Sequence, residues 1–599
     1  MTTASNLHLA WARLFVRAAA TSGVTEVVLS PGSRSTPLAI ALADLAGGSP
    51  PIPGEPRVRL HVVVDERAAA FFALGQARVT GRPTMLVCTS GTAGAHYLPA
   101  VIEAAQSFVP MLVVTADRPW ELQDAAAPQT IDQVKLFGDF VRHHAELGLP
   151  DPAPSALRAV PRIAAQAVAR SLGPIPGPVH LNARFRKPLE RVAVAGPEPW
   201  EPLVSALLTR GAPAVMAGSP ALDAASVASL AERIARAERG LIVCGPAPLA
   251  QAGARDAILA LARRTGFPLL AESTSQIRFG GDRAGVIECA PFDAVLRSPS
   301  FRAAHAPDLI LQIGAPPTSS SYAELCAAGP ARLVIAPHGW NDPQGDASIV
   351  LAEPGALALA LLETLPARTP SPWSFAFARA GARAQALADR ATEGSALTEG
   401  AIAHTLVSSC PEGALLVVGN STPVRDLDVF CAPSGRALRV AHQRGASGID
   451  GLVAGAAGAG SVGGPTALLL GDVSLLHDLG ALVLAARARG PLVVVVVQNG
   501  GGRIFDQLPV ARSTDADVFE RCFTTPQAVS FSHAAAAFGV PYARAATRAA
   551  LDEALAAAWA RSGPTLVEAV ATPGGGARTM AQIWAELAAE PGHDGEERS

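Results

Sequence analysis

Two polar clusters, with Asp472 and Asn499 twenty-seven residues apart, carry the clearest chemistry in the chain. The apolar run Ala467–Leu470 leads straight into Gly471-Asp472-Val473-Ser474, and the run Leu492–Val497 ends in Gln498-Asn499-Gly500-Gly501-Gly502. A carboxylate, an amide oxygen and the free carbonyls of a glycine-rich turn form a hard-oxygen set suited to Mg²⁺. The oxygens of a diphosphate would complete the octahedron. Glycines at that turn let backbone N–H groups approach phosphate closely. Gly-Asp alone reads equally well as a helix cap. The strand–helix–strand spacing and the Asn-Gly-Gly-Gly turn together favour the metal–diphosphate reading. Glu66 follows another apolar run, Leu60–Val64, and precedes an alanine-rich stretch. At a helix start a lone glutamate is ordinarily a partner for the macrodipole. No histidine dyad is evident, and His442 and His477 read as structural.

Short apolar runs must position these groups. They recur at Val27–Leu29, Met85–Cys88, Met111–Thr115, Leu241–Cys244, Leu309–Ile313, Leu333–Ile335 and Leu415–Val418, with stretches of helical length between them. Strands apolar on both faces belong to parallel sheets covered by helices on both sides. The expected class is therefore α/β, doubly wound and repeated along the chain. At 599 residues the chain is too long for one core. Linker-like stretches at 186–202, containing GPEPWEP, and 366–372, PARTPSP, divide it into units at 1–190, 203–365 and 375–585. A polar tail is expected at 586–599. The net charge of −3 provides no broad basic field for nucleic acid or an anionic membrane. An anionic ligand must be caught by locally placed cations. Seven scattered cysteines without a CxxC pair point to reduced thiols in a cytoplasmic protein rather than zinc or disulfides. No run approaches the roughly 20 apolar residues of a spanning helix, so no membrane insertion is expected.

The Gly471-Asp472…Asn499 pattern resembles the signature of thiamine-diphosphate-dependent enzymes. That resemblance implies a pyrimidine-binding domain at 1–190, a central domain at 203–365 and a diphosphate- and metal-binding domain at 375–585. It implies thiamine diphosphate with Mg²⁺, or Mn²⁺ in its place, as cofactors. Asp472, Asn499 and the Gly501 carbonyl map onto the metal ligands. Gly471, Val473, Ser474, Gly502 and Ile504 map onto the cofactor-binding surface around them. Glu66 maps onto the catalytic glutamate that hydrogen-bonds N1′ of the aminopyrimidine and favours its imino tautomer. In such enzymes the two sides of one site come from different subunits, which implies at least a homodimer and, more fully, a homotetramer.

A more specific resemblance begins at Ser30-Pro31-Gly32-Ser33-Arg34-Ser35-Thr36-Pro37-Leu38. It continues through Thr89-Ser90-Gly91-Thr92-Ala93, Thr115-Ala116-Asp117-Arg118-Pro119, Gln129, and Gly419-Asn420-Ser421 with Arg425. Arg444-Gly445-Ala446-Ser447-Gly448-Ile449-Asp450-Gly451, Gly502-Arg503-Ile504-Phe505 and Leu508-Pro509 complete it. These motifs are similar to those of the 2-succinyl-5-enolpyruvyl-6-hydroxy-3-cyclohexene-1-carboxylate synthases of menaquinone biosynthesis. The match covers roughly 5–190 and 395–575 and is weaker between them. It implies decarboxylation of 2-oxoglutarate, with the thiazolium as electron sink, and conjugate addition of the four-carbon carbanion to isochorismate. Both substrates are dianions, and arginine's planar fork suits carboxylates. Arg34, Arg118, Arg425 and Arg444 are the implied cations, with Ser33, Gln129 and Ser421 as neutral donors. Ser447, Gly448 and Ile449 fall on the cofactor, Ile449 as the prop of its bent form. Ile504 and Phe505 wall the substrate pocket.

The resemblance departs in three places. The central turn expected to carry a lysine reads Thr318-Ser319-Ser320-Ser321, so Ser320 stands where a cation is expected. Pro128 replaces an asparagine before Gln129, and Gln498 opens the asparagine run. Either another cation replaces the lysine, with Arg278 as the candidate, or the acceptor is held more weakly or differs. A related thiamine-diphosphate 2-oxoacid decarboxylase or carboligase would share Glu66, Asp472 and Asn499 but has no reason for SPGSRSTPL or RGASGIDG. An inactive paralogue acting as a binding protein has no reason to keep all three of those positions. A nicotinamide oxidoreductase would need a GxGxxG turn after an early strand, which is missing.

Overall fold

The computed structural model describes residues 2–47, 56–192 and 196–589. Residues 590–599, most of the expected tail, lie outside the described residues. Seventeen strands build three wholly parallel sheets among the described residues.

The first sheet contains β1 (Glu26–Ser30), β2 (Arg59–Val62), β3 (Thr84–Cys88), β4 (Met111–Asp117), β5 (His143–Gly148) and β6 (Pro178–Arg184), in the order 2-1-3-4-6-5. The second contains β7 (Gly240–Cys244), β8 (Leu269–Ala271), β9 (Leu309–Ile313), β10 (Ala331–Ala336) and β11 (Ser348–Leu351), in the order 11-10-9-7-8. The third contains β12 (Leu415–Val418), β13 (Arg439–His442), β14 (Thr466–Gly471), β15 (Leu492–Gln498), β16 (Tyr542–Ala545) and β17 (Pro564–Val570), in the order 13-12-14-15-17-16. Renumbered from its own first strand, the third sheet repeats the order of the first.

The central strands are buried on both faces, as their unbroken apolar runs require. In β7, Ile242 and Cys244 join one apolar cluster, whereas Leu241 and Val243 join another on the opposite face. Helices therefore cover both faces of that sheet. In each sheet the order reverses beside the first strand: between β1 and β3, β7 and β9, β12 and β14. Ligands of open α/β sheets bind beyond the carboxyl ends of the strands at such reversals.

The chain divides into two compact units. One holds Met1–Gly218 with Gln443–Gly463 and Gly480–Ala485; the other holds Ser219–His442, Gly464–Leu479 and Ala486–Ser599. Within the first unit, helix Glu66–Thr80 packs on helix Leu452–Gly463. Small residues set how close they come. A Cβ at Gly75 would strike the Gly455 carbonyl, and one at Gly458 would strike the Phe72 carbonyl. Among the described residues no helix is long and apolar enough to cross a membrane. All seven cysteines are free, six of them buried and Cys522 exposed.

Candidate active site

The candidate residues occupy equivalent positions in the first and third sheets. Ser33-Arg34, Thr89-Ser90 and Arg118 follow β1, β3 and β4; Ser421, Asp472 and Asn499 follow or end β12, β14 and β15. The two sets lie in separate compact units, and each is described within its own.

In the second unit, Asp472 opens a short helix at the end of β14 and is 7% exposed. Its Oδ2 accepts from the Gly501 N–H at 2.8 Å and the Gly500 N–H at 3.2 Å, and its Oδ1 accepts from the Val473 N–H at 2.7 Å. Burial pushes its carboxyl up, while those amides pull it back toward the charged form. The Asn499 Nδ2 donates to Glu399 Oε1 at 3.1 Å. That bond assigns the nitrogen side of the amide and leaves Oδ1 as the free acceptor. Gly501 has φ +111°, and a Cβ there would collide with the Thr524 carbonyl. The Gly502 N–H donates to that same carbonyl at 2.7 Å, which fixes the turn. Among the described residues no three His, Cys, Asp or Glu side chains gather as a metal cluster. The set here is instead one carboxylate, one oriented amide oxygen and the Gly501 carbonyl, which fits a hard cation that keeps further oxygen ligands. Gly471 and Ser474 flank Asp472, with Ser474 buried.

Ser421 caps helix Thr422–Phe430 with φ +71°, and its carbonyl accepts from Arg425 Nη1 at 2.6 Å. Arg425 and Ile504 line a cavity of about 220 Å³ together with Ser319, Ser320, Arg297 and Leu508. The Phe505 ring packs edge-on against Phe523, with centroids 5.5 Å apart. Arg278 is not the replacement cation offered by the sequence. It is fully buried, and it donates to the carbonyls of Cys431 at 2.8 Å, Asp428 at 2.8 Å and Ala271 at 3.0 Å. Its guanidinium ties together backbone that a ligand could not reach.

In the first unit, Glu66 is the first residue of helix Glu66–Thr80, behind the Asp65 cap that accepts from the Arg67 N–H at 3.0 Å. Burial pushes the thiol of Cys88 well up, and the Glu66 charge adds to this. Arg118 donates to the Ser90 hydroxyl and, at 2.6 Å, to the Gln129 carbonyl. Arg34 is buried, donates to the Phe185 carbonyl at 2.6 Å, and has no protein partner at Nε among the described residues. Burial, and then the neighbouring Arg118 charge, lower its pKa. Two close guanidinium groups, one with an unpartnered buried donor, suit a carboxylate ligand. Ser33 stands beside them in the short helix Ser33–Ser35. Gln129 and Ser447 adopt positive φ of 54° and 61°, as does Ser421 in the other unit. Such backbone strain concentrates at functional sites.

The loop of Arg444, Ser447, Gly448 and Ile449 is held by a residue that sequence reasoning missed. Glu103 accepts from the Ala446 N–H at 2.6 Å and the Gly445 N–H at 3.2 Å, while pairing with Arg78. Beneath Arg118, Asp117 accepts from the Arg118 N–H at 2.7 Å and pairs with buried Arg184 at 2.7 Å. Arg184 in turn stacks over Trp120, 3.7 Å from the ring centroid. Glu399 and Glu103 are solitary carboxylates in otherwise apolar helical stretches, and that mismatch was the available signal.

Residues 10–136 match the family described as thiamine pyrophosphate enzyme, N-terminal TPP binding domain, and residues 436–569 match the corresponding C-terminal TPP binding domain. A 2-succinyl-5-enolpyruvyl-6-hydroxy-3-cyclohexene-1-carboxylate synthase of Sorangium cellulosum is 59% identical, over 97% of this chain and 96% of its own. Synthases of the same name from Geobacillus kaustophilus and Myxococcus xanthus are each 41% identical, covering 97% and 93% of this chain and 98% and 93% of their own. Benzoylformate decarboxylase from Polynucleobacter necessarius shares the fold, with a TM-score of 0.71 at 17% identity over 94% of this chain and 98% of its own. The chain therefore belongs to the 2-succinyl-5-enolpyruvyl-6-hydroxy-3-cyclohexene-1-carboxylate synthase family of thiamine pyrophosphate enzymes.

Proposed function

We propose that this chain decarboxylates 2-oxoglutarate and adds the resulting four-carbon unit to isochorismate. The products are CO₂ and 2-succinyl-5-enolpyruvyl-6-hydroxy-3-cyclohexene-1-carboxylate, an intermediate of menaquinone biosynthesis. The observation that carries this reading is the set of Asp472, the Asn499 oxygen freed by Glu399, and the Gly501 turn, in a chain so similar to named synthases. When bound, thiamine diphosphate supplies the electron sink for breaking and making the carbon–carbon bonds. Asp472, Asn499 and Gly501 hold Mg²⁺, or Mn²⁺, against the diphosphate. Glu66 holds the proton at the pyrimidine ring nitrogen. Arg34, Arg118, Arg425 and Arg444 supply cations for the carboxylates of the two dianionic substrates, with Ser33, Gln129 and Ser421 as neutral donors, offsetting charge in a protein of net −3.

The working assembly is at least a homodimer, and a homotetramer in the fuller reading. Val62 and Val64, 45% and 80% exposed just before Glu66, support a covered surface there. The location is cytoplasmic. A second reading, a carboligase with another acceptor, is favoured by one observation only: Ser320 in place of a cation.

The test follows isochorismate by ultraviolet absorbance with purified protein, Mg²⁺ and thiamine diphosphate, with and without 2-oxoglutarate. Loss that requires both the oxoacid and the cofactor, and disappears in Glu66→Gln, is expected. Decarboxylation of 2-oxoglutarate with isochorismate untouched would favour the second reading.

A further inference from the structure

The turn that follows β9 at the reversal of the second sheet carries hydroxyls where a cation is expected, yet the cavity beside it is not short of one. Thr318, Ser319 and Ser320 line that cavity with Arg425, Ile504 and Leu508, and so does Arg297, just past the helix Phe292–Leu296. Asp293 joins the two features. Its Oδ1 accepts from the Ser319 hydroxyl and, at 3.0 Å, from the Ser321 hydroxyl; its Oδ2 accepts from Arg297 Nε at 2.9 Å. The Ser319 oxygen also caps helix Ser320–Cys326, accepting from the Tyr322 N–H at 3.3 Å. The Arg297 guanidinium lies over the Trp584 ring, 4.0 Å from its centroid.

One edge of Arg297 is thus pinned by Asp293 and one face by Trp584. Its Nη1 and Nη2 have no protein partner among the described residues, and the side chain keeps 34% exposure. This is a preorganised fork with its carboxylate-binding edge open. The other lining carboxylate, Asp428, accepts from the Ser273 N–H at 2.7 Å and is offset by the Arg278 charge. With Arg425 added, the wall keeps a positive excess.

We propose that Arg297 is the cation that binds a carboxylate of the acceptor substrate in this cavity, in place of the lysine missing at Ser320. This rests on the function proposed above. The lysine has been replaced from a different element, and the serine-rich turn now positions the substitute through Asp293.

The experiment uses the full chain with Mg²⁺ and thiamine diphosphate, comparing wild type, Arg297→Gln, Arg297→Lys and the double variant Arg297→Gln/Ser320→Lys. Ser320 is exposed, so a lysine there has room. A charge-assisted carboxylate contact is worth about 10- to 100-fold in binding. Arg297→Gln should raise KM for isochorismate by that factor, leaving KM for 2-oxoglutarate and cofactor affinity within about twofold. Arg297→Lys should keep part of the binding, and Ser320→Lys should restore at least about tenfold of what Arg297→Gln loses. A structural lesion would not be repaired from position 320. An unchanged isochorismate KM in Arg297→Gln, equal losses for both substrates, or no rescue would each overturn the proposal. If wild type turns over no isochorismate, the functional reading fails by itself. Calorimetric binding of 1-cyclohexene-1-carboxylate then decides: loss in Arg297→Gln with recovery in the double variant supports Arg297, and equal or absent binding refutes it.

Discussion

Replacing Glu103 with glutamine removes one charge and exchanges one oxygen for nitrogen, and the structure sets what that costs. Glu103 is 3% exposed. Oε1 accepts from Arg78, from Ser107 Oγ at 2.6 Å and from the Gly445 N–H at 3.2 Å; Oε2 accepts from the Ala446 N–H at 2.6 Å. Whichever way the amide turns, its NH₂ faces other donors. Arg78, whose side chain is only 12% exposed, loses its counter-charge. Breaking a buried pair from one side costs about 3–5 kcal/mol, and an unpaired buried donor about 1–3 kcal/mol. Arg78 keeps some water access, so about 3 kcal/mol is expected, felt where the loop is anchored. In a 599-residue, multi-unit chain, global melting is a poor reporter. Hydrogen exchange of a peptide spanning 443–451 reads the anchor directly. Protection should fall about 100-fold in Glu103→Gln. The double variant Arg78→Met/Glu103→Leu should regain part of this by removing the stranded charge, but not all, because the Gly445 and Ala446 amides still lack an acceptor. Burial raises the Glu103 carboxyl, but Arg78 and the Ser107, Ala446 and Gly445 bonds outweigh it and hold it below the ordinary 4.5. Its contribution is therefore present above pH 4.5 and disappears only as pH falls through the depressed value. Unchanged protection in Glu103→Gln, or a double variant no better than the single, would refute the anchor.

Glu399→Ala should weaken Mg²⁺ binding about 10- to 100-fold by letting the Asn499 amide rotate, measured by Mn²⁺ or Mg²⁺ titration calorimetry with thiamine diphosphate present. Wild-type metal affinity in that variant would show that Asn499 is held some other way. Gly501→Ala should abolish measurable metal-dependent cofactor binding, because both its φ of +111° and the Thr524 carbonyl exclude a side chain; retained affinity would contradict the turn geometry. Burial lowers His8 from 6.5 to about 4, and lowers His180 to about 3. Both are neutral in the folded chain, so stability is complete above pH 6.5 and is lost as pH falls toward the folded values. For His8 alone the loss is about 3 kcal/mol by pH 4. His8→Phe should reduce the loss of hydrogen-exchange protection, corrected for the intrinsic pH dependence of exchange, in a peptide spanning 7–20 between pH 7.5 and 5, and an unaltered loss would rule His8 out as a source of it.

The central strands were legible because each is an apolar run short enough to be nothing else, with double-sided burial to match, whereas edge strands such as β5 (HHAELG) and β16 (YARA) are half-buried, carry no such run and gave no signal. Asp472 and Asn499 were legible because parallel neighbours place their carboxyl ends side by side, so spacing along the chain becomes proximity. Glu399 reaches Asn499 from a hundred residues away, and Asp293 grips Ser319 from twenty-six. No periodicity reports such meetings, since they depend on which sheet reversal a helix end happens to face. Arg278 shows the converse limit. By residue type it was as good an anion binder as Arg297. Burial separates them: one guanidinium is consumed by three carbonyls, whereas the other has one edge pinned and the other open. A cation's presence can be counted from sequence, but its availability is a property of its neighbours. Where a motif loses a charged residue, the replacement should therefore be sought among the groups that share the cavity, not among those nearest in the chain.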